Sequence, residues 1–126
     1  FQGVATSAQY ADLAEIYASD VQYPPGTVVT VGGDVEITKA GPDTVYLAGV
    51  ISTAPAYLMN SAADGQAVAL VGRVPVRVVG SINKGEAVFA THNGCASSNG
   101  AGAIVGIALE TNSDLSQKNV ECLLKV

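Results

Sequence analysis

From Arg73 to Val78 the chain alternates residue by residue, with Val74, Val76 and Val78 set against Arg73, Pro75 and Arg77. Successive side chains of a strand point to opposite faces, so this spacing puts three β-branched residues on one side and two guanidinium groups on the other. A strand of this kind must be half-buried. Pro75 has no N–H to give to a ladder, which predicts an edge or a bulge at that point. The run then breaks at Gly80 and turns at Lys84-Gly85-Glu86.

The same pattern of short extended runs and turns continues in both directions. Ala67 to Gly72 leads into the arginine strand, and Gly72 predicts a bulge or bend that lets one long strand curl round a barrel. Tyr23-Pro24-Pro25-Gly26 is a turn, and Val28 to Thr38 reads as a hairpin about Gly32-Gly33-Asp34. Val45 to Ser52 is an apolar, β-branched run of strand length with the look of core, and Tyr57 to Asn60 reads as an irregular segment or one helical turn. Glu86 to Thr91 is a further strand. His92 to Gly102 is too polar and too rich in glycine to pack as one, so it reads as a loop. Ala103 to Glu110 and Val120 to Val126 complete the set, with a turn at Asn112-Ser113-Asp114. Seven or eight short strands at this spacing predict an all-β fold, a small barrel-like or sandwich domain with little helix, and continuous curvature favours the barrel.

A length of 126 residues predicts one β-domain over 11–126, preceded by a linker or extension over 1–10. Charged residues make up 13% of the chain, against about 25% in ordinary globular proteins. Part of the surface is therefore expected to face other protein. A net charge of −5 with only six Lys and Arg argues against a nucleic-acid partner. No apolar run approaches the roughly 20 residues of a spanning helix, so membrane insertion is not expected. Phe1-Gln2-Gly3-Val4 lacks the basic-then-apolar plan of a secretory signal.

Few residues invite chemistry. Asp12 and Glu15 would work as an acid and base pair if held close. On a helix they would share a side; on a strand, the conformation favoured here, they point to opposite faces. His92 and Cys95 lack the further ligands of a metal site or the oriented base of a thiol nucleophile, so neither metal nor cofactor is expected. His92 is read instead as a loop histidine near an axis between copies of the chain. Cys95 and Cys122 have no CxxC partner and read as small buried side chains, a disulfide between them requiring a fold that brings their α-carbons within about 7 Å. Ser81 with Lys84 lacks the glycine frame of a nucleophile, and Gly94, Gly100 and Gly102 lack the Lys-Ser or Lys-Thr of a phosphate cradle. Arg73 and Arg77 are expected to meet carboxylates such as Glu36 or Glu86 of a neighbouring copy, the alternative being a solvated strand face. The five tyrosines are dispersed, which places most in core or interface.

Four blocks in a fixed order carry a resemblance: Ala11-Asp12-Leu13-Ala14-Glu15-Ile16-Tyr17; Pro25-Gly26-Thr27-Val28-Val29; Leu47 to Ser52 with Pro55 to Asn60; and Val68 to Val78 with Lys84-Gly85-Glu86 and Gly106 to Glu110. From about residue 10 to residue 126 the chain resembles the small β-domain found at or near the C-termini of bacteriophage tail fibres, tailspikes and neck appendages. That resemblance implies a structural module of the virion that assembles as a homotrimer, caps or attaches a fibre, and has other phage structural proteins as partners. It also implies exposed loops, His92 to Gly102 among them, able to meet a host surface glycan or receptor. Some members of the group are intramolecular chaperones that guide three chains together and then cut themselves off. The cut lies close to the Asp and Glu of the first block, here Asp12 and Glu15.

Overall fold

The thirteen residues Gln66–Val78 form a single strand, and the rest of the fold is arranged along it. Val74, Val76 and Val78 are buried on one face, while Arg73 is exposed and Pro75 and Arg77 are half-buried on the other, as the alternation predicts. The computed structural model describes residues 11–52, 57–59 and 64–124. The expected extension over 1–10 lies outside these residues, as do Pro55, Ala56, Asn60 and the end of the closing strand. In chain order the strands are β1 (Ala11–Tyr17), β2 (Val28–Val31), β3 (Ile37–Lys39), β4 (Gly49–Ile51), β5 (Tyr57–Met59), β6 (Gln66–Val78), β7 (Ala87–Ala90), β8 (Ala96–Ser97), β9 (Ile104–Ala108) and β10 (Lys118–Leu124). The fold is all-β.

Each half of β6 belongs to a different ring. Its second half pairs with β10 from Lys118↔Val78 to Leu124↔Gly72; β10 pairs with β9, β9 with β7 and β7 with β8. β8 then returns to β6 at Val78↔Ala96, which closes a small five-strand barrel. The first half of β6 holds β1 on one side and β4 on the other, and β4 leads through β2 to β3. The chain leaving β1 then lies against the outer edge of β3. There Ser19 bridges Ile37, the Glu36 and Ile37 N–H groups donate to Ala18 O at 3.2 and 3.0 Å, and the Ala18 N–H donates to Glu36 Oε1 at 2.8 Å. An edge that would otherwise invite another strand is covered.

Two buried clusters follow from this arrangement. Val28, Val50 and Ala69 face a large one with Val74, Val76, Val78, Val88, Val120 and Cys122, whereas their immediate neighbours Val29, Ile51 and Val68 face a smaller one with Ile37. The sheet made by β2, β4 and the start of β6 is therefore a wall with core on both sides. That is why its strands carry consecutive apolar pairs rather than strict alternation. Tyr17, Tyr23 and Leu70 pack against the smaller cluster.

Several details differ from expectation. The bulge in β6 falls at Leu70, where the register steps from Leu13↔Val71 to Ala14↔Ala69, two residues before Gly72; Gly72 does adopt the positive φ, 107°, that suits glycine. The run from Val45 contributes a strand only at Gly49–Ile51, and Val45 and Tyr46 are 70% and 83% exposed. Tyr57–Met59 is neither irregular nor helical but a short strand parallel to β1. The loop from His92 contains a 3-10 turn at His92–Gly94 and then β8, whose two residues are buried. Pro75 lies where β6 has β10 on one edge and, among the described residues, no strand paired on the other, as its missing N–H favours.

Candidate functional site

β1 carries the two carboxylates that the sequence singles out. Its residues alternate so that Asp12, Ala14 and Ile16 share one face and Leu13, Glu15 and Tyr17 the other. Asp12 is 1% exposed, opposite Gly72 of β6. Glu15 is half-buried, and its Oε1 accepts a hydrogen bond from the Tyr17 hydroxyl at 3.1 Å. Burial first, and then that bond with the Glu15 charge, pushes the Tyr17 hydroxyl above its ordinary pKa. The strand thus holds Asp12 and Glu15 on opposite faces and does not bring them together as an acid and base pair.

The two arginines have partners in their own chain. Arg73 Nε donates to Glu121 Oε1 at 2.8 Å and Nη2 approaches the same oxygen at 2.7 Å, across the β6–β10 ladder that sets Glu121 opposite Pro75. Arg77 Nη1 donates to Thr27 Oγ1 at 3.1 Å. The acidic groups expected to receive them are engaged locally: Glu36 Oε1 accepts from the Ala18 N–H, and Glu86 Oε1 accepts from the Asn83 N–H at 2.7 Å. Cross-strand register, invisible in sequence, chose Glu121 for Arg73. His92 is exposed at the start of its 3-10 turn, where its carbonyl accepts from the Cys95 N–H at 3.2 Å. Among the described residues no three His, Cys, Asp or Glu side chains are grouped to hold a metal ion. Cys95 and Cys122 are both free and buried.

What the sequence does not announce is an apolar surface. The Ala103 N–H donates to Thr44 O at 2.9 Å, which sets the start of β9 beside the Val45-Tyr46-Leu47 segment. Val45, Tyr46 and Ile104 stand 70%, 83% and 56% exposed there. Beside them runs an open groove of about 270 Å³ whose lining includes Leu47, Ala48, Leu70, Ile104, Val105 and Leu124. Exposed apolar surface on a chain with 13% charged residues is a feature that binding surfaces share. The signal lies in the Val45 run itself, which reads equally well as core or as interface. A second depression of about 300 Å³, between Pro75, Asn119, Glu110 and Glu121, is polar.

No family model matches the chain, and no curated protein sequence matches it. Its fold is similar to that of the C-terminal fragment of gene product 12 of bacteriophage phi29, with a TM-score of 0.69 and 16% identity over 90% of this chain and 100% of the fragment. It is likewise similar to the pre-mature gene product 12 of the same phage, with a TM-score of 0.70 and 15% identity, over 93% of this chain and 22% of that one. The likeness is one of fold.

Proposed function

We propose that this domain is a structural, chaperone-like module of a bacteriophage virion appendage, which brings copies of its own chain together as a homotrimer and seats the resulting fibre against other phage proteins. The observation that carries this reading is the fold likeness, which extends over the whole of the phi29 C-terminal fragment. The exposed Val45, Tyr46 and Ile104 beside the apolar groove supply the surface that assembly requires. Arg73 and Arg77 keep guanidinium N–H donors beyond those given to Glu121 and Thr27, and these are the groups they offer a neighbouring copy.

The test is light scattering coupled to size exclusion, on the chain alone and joined to its natural upstream sequence. A trimer that dissociates when Tyr46 and Ile104 are both changed to Glu supports the reading. A monomer in both forms at every concentration overturns it.

A second reading, self-cleavage, is favoured by one observation: Asp12 is a carboxylate held almost wholly out of solvent, and acidic side chains are rarely buried without a task. Expression with the natural upstream sequence yields a shortened product on this reading, and Asp12→Asn or Glu15→Gln abolishes it. An uncut chain in every case removes the idea.

A further inference from the structure

In the β6–β10 ladder Pro75 lies opposite Glu121. On the edge away from β10 the Arg77 N–H donates to Gly26 O at 2.9 Å. Two residues earlier along a strand the backbone presents the same edge, and there Pro75 has nothing to donate. A cavity of about 40 Å³ lies at this spot, lined by Pro75 and Val74 of β6, by Pro25 and Gly26, by Ile51 and Ser52, and by Asn119 of β10.

Ser52 is 6% exposed, and its Oγ, shielded from solvent, has no hydrogen-bond partner among the described residues. The backbone beside it is already committed: the Ser52 N–H donates to Ala67 O, the Ile51 N–H to Thr27 O, and Ile51 O accepts from the Gly26 N–H. The hydroxyl has both a donor and an acceptor to satisfy, and none of these committed backbone groups is bonded to it. Asn119 also lines the cavity, and its Oδ1 is 3.0 Å from where a Cβ on Gly26 would be. A water molecule requires about 10–15 Å³ and two to four polar partners. The volume and the two side chains meet both requirements, while the space is too small for an organic ligand.

We propose that this cavity is a specific site for a structural water, held between Ser52 Oγ and the Asn119 side-chain amide beside the Pro75 ring. The water joins β10 to the end of β4, next to the turn before β2.

A high-resolution crystal structure of the chain is the test. The expected result is a spherical density peak about 2.5–3.0 Å from Ser52 Oγ, lost in Ser52→Val, where a methyl group replaces the hydroxyl. Asn119 is exposed, so Asn119→Ala folds irrespective of the fate of Ser52→Val, and there the peak weakens or vanishes. A parent structure with no such peak overturns the proposal. So does a peak that persists at full occupancy in either variant.

Discussion

Gln66 grips the main chain of Tyr23 in both directions: the Tyr23 N–H donates to Gln66 Oε1 and Gln66 Nε2 donates to Tyr23 O, each at 2.9 Å. The pair ties the first residue of β6 to the segment between β1 and β2, just after the residues that cover the edge of β3. Gln66 is 8% exposed and Tyr23 half-buried, so Gln66→Ala removes two hydrogen bonds from a partly shielded site. The expected loss is about 1–3 kcal/mol, read as a lower urea midpoint with an unchanged slope.

Asp20 predicts acid sensitivity in the same region. Its carboxylate accepts from the Tyr23 hydroxyl at 2.5 Å and the Thr38 hydroxyl at 2.8 Å, and these bonds, Tyr23 first, hold its pKa below the ordinary 3.8. A folded-state pKa below the unfolded value gives stability that is present above 3.8 and is lost as pH falls through the folded value. Thermal melts below about pH 4 should therefore decline more steeply for the parent than for Asp20→Asn. Equal slopes would remove Asp20 from the account.

Gly49 is required by proximity. A Cβ there would stand 2.1 Å from Ala69 O and 2.8 Å from Val68 Cγ1, inside the β4–β6 pairing. Gly49→Ala is expected to cost about 3 kcal/mol or more, because backbone rather than a flexible side chain must yield. Gly41, where an added methyl group would meet nothing within 4 Å, is the control. Gly41→Ala should stay within about 0.5 kcal/mol of the parent.

The thiol of Cys122 is pushed up to about 12, by burial first and then by the charges of Glu110 and Glu121. Only the thiolate is nucleophilic, so a soluble alkylating reagent should leave Cys122 untouched at neutral pH and label it on unfolding. The sign of the linkage is the reverse of that at Asp20. A raised folded pKa means stability intact below the unfolded value of 9 and declining as pH climbs from there toward 12. Cys122→Ser or Cys122→Ala should lose that alkaline decline.

Much of the fold is legible in the sequence because local pattern and tertiary environment agree. The alternation of Val74, Val76 and Val78 specifies a buried face, and Pro75 specifies an edge, without knowledge of any partner. The consecutive pairs Val28-Val29, Val50-Ile51 and Val68-Ala69 can be read as strand but not as a wall between two cores, since periodicity does not say what lies on each side. β8 escapes a reading by pattern because two small residues are enough to pair with Val78 and close a ring, and nothing in Ala96-Ser97 announces it. Arg73 finds Glu121 through a register 48 residues away in sequence. Asp12 and Glu15 fall on opposite faces, as the extended conformation favoured by the sequence requires. The exposed Val45-Tyr46 segment has the look of core instead, because apolar character alone does not distinguish an interior from a surface awaiting a partner.

A strand owned by two rings makes each ring a hostage of the other. Loosening β10 frees one flank of the residues that continue without a break into the wall between β1 and β4, so melting should sweep through both cores in a single step. Amide exchange along Gln66–Val78 would then report one opening energy rather than two, and any assembly built from such units would fail abruptly, not by halves.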